Sequence, residues 1–228
     1  MATDYELICA ARTDQSESLI HLTRSFDNLL EILRDGYLRP TFAPRKSFRT
    51  ENTKNTVLGP DPVVCFTEMP LSEIKKLCAL PLKTPRYGRY GLIFSKRRLF
   101  QMGARPVLYG SSEVSAMLPP ALQYLWVGMD LSDETYPTDW SHEREWRFCY
   151  RESDWVRFGY PGLPLEYGPS RKPNSTFRII CSSAQEREAI NRVLVQQMEP
   201  PAGCDPDCFA IYLARLKNGL PQITVLEE

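Results

Sequence analysis

Apolar positions recur along the chain with two different periods. Leu19, Ile20 and Leu22 form a short strand-like run over residues 18–22. Leu29, Leu30, Ile32 and Leu33 then fall at helical spacing and predict an amphipathic helix. Ser25 or Asp27 can cap its start by accepting a backbone N–H. Gly36 can end it, because glycine tolerates the left-handed conformation. Pro40 then forbids a simple continuation. Residues 41–62 hold Pro44, Gly59, Pro60 and Pro62 with little periodicity, so they read as a lid or substrate loop.

Val63 to Phe66 resumes as a buried strand, and Ser72 or the turn before it opens a short helix through Leu80. A segment rich in proline and glycine follows from Pro81 to Gly88. Tyr90 to Phe94 reads as a strand, with Ser95 capping a helix through Gln101. Residues 105–109 read as another strand, and Pro106 points to an edge or a strand start. Residues 116–129 are mostly apolar and read as helical after Pro120, whereas 130–140 are acidic and loop-like.

From Glu145 to Tyr150 the alternation is clearest. It puts Glu145, Arg147 and Cys149 on one face and Trp146, Phe148 and Tyr150 on the other. A second proline- and glycine-rich loop spans 159–174, and Phe177 to Cys181 is a strand. Ala184 to Met198 is a helix with Ile190, Val193, Leu194 and Met198 on its apolar side. Phe209–Leu216 and Gln222–Leu226 can form a hairpin around Asn218-Gly219. The pattern describes one mixed α/β or α+β domain over 1–228, with strands concentrated after residue 85.

Composition narrows the function classes. Lysine plus arginine equals aspartate plus glutamate at 28 each, so net charge implies no nucleic-acid partner, although a local patch can still provide one. Arg39, Arg45, Lys46 and Arg49 supply one such basic stretch; Arg86, Arg89, Lys96, Arg97 and Arg98 supply another. Interspersed aromatics suit phosphates or single-stranded nucleic acid, and a solvated surface explains them equally well. The seven cysteines are an odd count, and Cys65, Cys149 and Cys181 lie in apolar runs, as buried thiols of a reducing compartment do. Cys204 and Cys208 lack a second ligand pair nearby, so no metal is expected. The start lacks the pattern of a signal peptide, and no apolar stretch approaches 18 residues, so the expectation is a cytoplasmic protein without a membrane partner.

Polar residues embedded in the apolar runs carry the candidate chemistry. Glu145 opens a strand, where a carboxylate can accept a sugar hydroxyl, stabilise positive charge on a ribose, or act as a base. It can equally form a structural ion pair with Arg147 or Arg144. His21 and Thr23 stand two apart and can hold a ribose or an amide; a satisfied core histidine and a sheet threonine fit the same spacing. Thr67 and Glu68 end a strand, where ligand clefts are commonly lined, and Glu68 can instead cap the next helix. His142 and Glu143 have no evident zinc-binding arrangement, and no glycine-rich phosphate loop is present.

The stretches LIHLTRSFDNLLEILRDG, VVCFTEMPLSEI, YGLIFSKRRLFQMGARPVLYG and SHEREWRFCY resemble a bacterial family linked to abortive phage resistance, the AbiG-type first component, often labelled antitoxin. More distantly, the chain resembles the DarT-like ADP-ribosyltransferases. His21 and Thr23 match their early strand-helix-glycine unit, and Glu145 matches their late catalytic glutamate. VCFTEMPL stands where those enzymes carry an arginine-containing segment, with Thr67 and Glu68 in its place. The resemblance implies an α+β fold with a split mixed or antiparallel sheet and peripheral helices. It implies NAD as cofactor, loss of nicotinamide, and ADP-ribose transfer to DNA, RNA or protein. In that scheme His21 and Thr23 hold the ribose, Glu145 stabilises the transition state, and Arg147 or Arg144 steers phosphate or substrate. The antitoxin label implies the competing class, a non-catalytic or nucleotide-sensing module bound to a cognate toxin or antitoxin.

Overall fold

The structure is a computed structural model, and it describes residues 16–46, 53–81, 87–132, 134, 137–165, 177–198 and 221–226. The early elements are β1 (Ser18–Thr23), α1 (Phe26–Asp35), β2 (Tyr37–Leu38), β3 (Pro44–Lys46), β4 (Thr53–Asn55), β5 (Val63–Thr67) and α2 (Leu71–Cys78). The middle of the chain holds β6 (Tyr90–Ser95), α3 (Lys96–Met102), β7 (Arg105–Pro106), β8 (Leu108–Gly110), α4 (Ser112–Met117), a 3-10 turn (Pro120–Leu125) and β9 (Trp126–Gly128). A second 3-10 turn (Ser141–Glu143) leads into β10 (Glu145–Cys149). Then come α5 (Glu152–Phe158), β11 (Leu163–Pro164), β12 (Phe177–Cys181), α6 (Ala184–Met198) and β13 (Ile223–Val225). The fold is α+β, with mostly antiparallel sheet pairing and peripheral helices. The chain divides into two compact units, one of Met1–Ile20, Pro40–Ile74 and Ser95–Arg151, the other of His21–Arg39, Lys75–Phe94 and Glu152–Glu228.

The first unit is organised around β5. Ile20 of β1 pairs antiparallel with Thr67. On its other side β5 pairs along all of β10, from Glu145 opposite Thr67 to Cys149 opposite Val63. β7 follows β10 as the edge, with Pro106 opposite Trp146, as the proline predicts. Both faces of β10 are used. Cys149 joins Val57, Val63 and Tyr124 in one buried cluster, and the Phe148 ring on the opposite face lies against Gly103 at the end of α3. Ser95 caps α3 by accepting the Arg98 N–H.

In the second unit, Ser25 caps α1 by accepting the Asn28 N–H, and Gly36 ends it in the left-handed conformation at φ 76°. Leu29 and Leu33 are the buried stripe of that helix, which packs against α6, where Ile190, Val193 and Leu194 are buried. β12 pairs antiparallel with β6 and parallel with β13. A capping box starts α6: Ser183 accepts the Glu186 N–H, and the Glu186 carboxylate accepts the Ser183 N–H.

Several expectations are corrected. Residues 41–62 are not a plain loop: β3 and β4 pair antiparallel within them, and Thr41 bridges Val63. Three-residue strands are too short to display alternation. The expected strand at 105–109 breaks into β7 and β8, which pair with different partners. The expected helix after Pro120 is a 3-10 turn followed by β9, which pairs parallel with β8. Pro119 and Pro120 contribute no backbone N–H there, and Trp126 and Val127 suit extended backbone. β1 to β5 all precede residue 85, so strands are not concentrated after it. In the second expected loop, β11 pairs with β2, while 166–174 lie outside the described residues. So does the first half of the expected terminal hairpin, with Asn218-Gly219; its second half is β13, beside β12.

Candidate functional site

Glu145 begins β10 and is held from three directions. Arg147, two residues on and therefore on the same face, donates from Nε to Glu145 Oε1 at 2.8 Å and from Nη2 to Oε2 at 3.2 Å. The remaining terminal nitrogen of Arg147 donates to the carbonyls of Tyr124 at 2.6 Å and Trp126 at 3.1 Å. From β8, the Tyr109 hydroxyl accepts the Glu145 backbone N–H at 2.9 Å. The third neighbour is Cys65, paired with Arg147 across the sheet.

The electrostatics follow from this packing. The Arg147 side chain is 3% exposed and that of Glu145 14%. Burial pulls the Arg147 guanidinium toward losing its charge, but the charge and hydrogen bonds of Glu145 outweigh it, so its pKa is raised. The Cys65 thiol is pushed up, first by burial and then by the Glu145 charge, while the Arg147 charge pulls it down. Burial of this kind favours the protonated thiol, which is the weaker nucleophile. Burial also pushes Tyr109 up, to about 12; the Glu145 N–H and Arg147 lower it, and the Glu145 and Glu143 charges raise it.

The approach to Glu145 is shaped by an unusual backbone. Arg144 has φ 44° and ψ 51°, a left-handed conformation that L side chains adopt at a cost. Two bonds brace it: the Thr67 hydroxyl donates to the Glu143 carbonyl at 2.5 Å, and the Glu68 N–H donates to the Arg144 carbonyl at 3.0 Å. Thr67 also accepts the Met69 N–H, so its hydroxyl ties two loops together. The Glu68 carboxylate is engaged at both oxygens, by Lys96 Nζ at 3.0 Å and by the Trp146 indole N–H at 2.8 Å. Glu68 is therefore a half-buried ion-pair partner, and no cap on α2 is involved.

Glu145, Arg147, Thr67 and Glu68 thus gather in the first unit, three of them on paired strands or strand ends. His21 and Thr23 stand in the second unit, on the last residues of β1. Thr23 is buried and His21 half-buried. Backbone packs tightly on both: a Cβ on Gly88 would lie 1.7 Å from the Thr23 carbonyl oxygen, and one on Gly91 2.5 Å from that of His21. His142 is on the 3-10 turn before β10, its ring 6.2 Å from that of Trp140. Among the described residues no three His, Cys, Asp or Glu side chains gather as metal ligands; Cys204 and Cys208 lie outside those residues.

Sequence reasoning missed Tyr109, Trp146, Gly88 and Gly91, and it read Lys96 only as part of a basic stretch. Tyr109 and Glu145 are 36 residues apart, and Trp146 and Glu68 are 78 apart, so no local spacing signals either contact. The glycines carry a readable signal, since each sits at or just before a strand, where glycine marks close backbone approach.

No protein-family model matches the chain, and no solved structure matches it. Curated CTP synthases of Chlamydia trachomatis, from serovars L2, A and D, are 28% identical to it over 141 residues. The match covers 58% of this chain and 24% of each of theirs, so the chain spans about a quarter of the length of the curated relatives it matches.

Proposed function

We propose that the protein is an NAD-dependent ADP-ribosyltransferase-like member of a bacterial phage-defence or toxin-antitoxin system. In this reading it cleaves the nicotinamide–ribose bond and transfers ADP-ribose to a nucleic-acid or protein acceptor. The observation that carries the reading is the placement of Glu145: a carboxylate at the head of a buried strand, oriented by an arginine whose other donors are fixed on two carbonyls. A fixed negative charge there stabilises the cation that develops on the ribose as nicotinamide leaves, without reorganising during the step. The leaving bond takes its electron pair with nicotinamide, and the acceptor nucleophile supplies the pair for the new bond and loses its proton. Glu145 is one candidate for receiving that proton.

The resemblance to AbiG-type and DarT-like proteins supports the remaining assignments and the split-sheet form of the fold. His21 and Thr23 hold the nicotinamide-side ribose. The present bonds of Thr67 and Glu68 favour shaping the NAD site over touching the cofactor, and those of Arg147 favour orienting Glu145 over steering phosphate. Arg144 is the other arginine to which the resemblance gives that steering role.

The second reading is a non-catalytic, nucleotide-sensing or antitoxin-like module. It is favoured by the mutual neutralisation of Glu145 and Arg147, which a purely structural pair also achieves. The name of the curated relatives refers to CTP, a nucleotide, which suits a nucleotide sensor.

Titrating NAD into the protein by calorimetry while assaying nicotinamide release separates the two readings. Binding with release that disappears in Glu145→Gln supports the transferase. Binding without release, in the presence of DNA, RNA and protein acceptors, supports the sensor. No binding at all removes NAD from both.

A further inference from the structure

One stretch of the chain combines exposed apolar side chains with a single sign of charge. Residues 116–122 read Ala-Met-Leu-Pro-Pro-Ala-Leu, without a polar side chain. All except Leu118 are exposed, and Met117 shows 75% of its surface. Leu108 on β8 is exposed as well. Apolar residues on a helix ordinarily form a buried stripe, but α4 buries none of its residues. An exposed apolar run of this kind marks an interaction site.

The backbone beneath it is braced. β8 and β9 pair in parallel, with Leu108 opposite Trp126. The Trp126 indole N–H donates to the carbonyls of Gly110 at 3.1 Å and Ser111 at 3.0 Å, which ties the start of β9 to the start of α4. Val114 of α4 lies so close to Gly110 that a Cβ there would meet it at 2.9 Å. The Leu118 N–H donates to the Ser115 carbonyl at 3.2 Å, and the Leu122 N–H to that of Pro119 at 2.8 Å.

Charge then selects what can cover these side chains. Between Arg105 and Arg144 the chain holds no lysine or arginine. The charged residues there are Glu113, Asp130, Asp133, Glu134, Asp139 and Glu143. Of these, Glu113, Asp130 and Glu134 are exposed. A second copy docking through the same face would set acid against acid. The phosphates of a nucleic acid or an anionic membrane would meet the same repulsion. A segment that places lysine or arginine beside apolar side chains suits both the apolar run and its acidic surround. By contrast, the exposed Trp155 and Val156 on α5 stand among Arg151, Glu152, Asp154 and Arg157, where the two signs balance.

We propose that the surface carried by β8, α4 and the 3-10 turn after it docks a basic, apolar segment of a partner protein. The inference goes beyond the NAD reading and does not rest on it.

The test uses the full chain and three labelled model peptides, followed by fluorescence anisotropy. The first is an amphipathic helix of leucine and lysine. The second carries glutamate in place of each lysine, and the third has the composition of the first in an order without an apolar face. The first is expected to bind, less tightly as salt is added, and the two controls at least about tenfold more weakly. Met117→Ser combined with Leu122→Ser should weaken the first peptide by about tenfold or more, as the loss of two apolar contacts implies. Trp155→Ser combined with Val156→Ser should leave it unchanged. Equal binding of the first peptide and either control overturns the proposal, as does an equal effect of the two double variants. So does a wild type that does not bind the first peptide. Sedimentation checks self-association: a dimer that Met117→Ser with Leu122→Ser dissociates puts a second copy on this face and overturns the proposal. If that variant does not fold, hydrogen exchange on the wild type decides. Protection by the first peptide over 108–122 supports the proposal, and protection confined to other segments overturns it.

Discussion

Replacing Arg147 with methionine tests the organisation of the site most directly. The side chain is 3% exposed and makes four hydrogen bonds, two to the Glu145 carboxylate and two to the carbonyls of Tyr124 and Trp126. Methionine fills much of the same volume without a donor. Removing one partner of a buried pair costs about 3–5 kcal/mol, and the partial exposure of Glu145 places this pair near the lower figure. Each orphaned carbonyl adds about 1 kcal/mol. The expected loss is therefore about 5 kcal/mol in urea unfolding at neutral pH, followed by circular dichroism and tryptophan emission. Glu145→Gln should lose only about 1–2 kcal/mol, because an amide oxygen still accepts from the guanidinium. The double variant should fall short of the summed losses by more than about 1 kcal/mol, the signature of a direct contact. A loss below about 1 kcal/mol for Arg147→Met would show that the guanidinium is not the strut described above.

Other consequences are equally concrete. Gly88→Ala drives a Cβ to 1.7 Å from the Thr23 carbonyl oxygen, so it should lower stability by about 3 kcal/mol, the upper end for overpacking, measurable in the same urea assay. At Arg144, with φ 44°, glycine should melt above valine by the equivalent of about 1–2 kcal/mol, which differential scanning calorimetry reads directly. The Glu186 carboxyl is held low: burial pushes it up, but hydrogen bonds from Tyr90, Ser182 and Ser183 outweigh that push. A depressed folded-state pKa gives stability that is present above the unfolded value of 4.5 and is lost as pH falls through the folded one. Glu186→Gln should therefore flatten the acid limb of melting temperature against pH, with a loss of about 1 kcal/mol at neutrality from the weakened cap.

Local rules made part of this molecule legible. Ser25 and Gly36 bracket α1 because capping and left-handed glycine act within a few residues. The alternation from Glu145 to Cys149 gave the two faces of β10, and with them the Glu145–Arg147 adjacency. What stayed hidden depends on distant partners. The apolar content of 116–129 suits a helix as well as an extended segment, and pairing with β8 decided for β9. The residues around Glu145 come from β5, β8 and the 3-10 turn, and strand order, which no spacing encodes, brings them together. His21 and Thr23 were visible as polar positions on a strand, whereas the closeness of Gly88 and Gly91 to them depends on tertiary packing.

The edge strand β7 has a consequence for assembly. It is two residues long, and one of them, Pro106, has no N–H to offer an incoming chain. A partner that docks by adding its own strand needs a run of alternating donors and acceptors. Here it would meet a stub, so growth of the sheet from this side is blocked at the level of the main chain. A protein partner recognising this part of the chain must therefore do so through side chains and surface shape, and its specificity would be tuned by point substitutions rather than by backbone register.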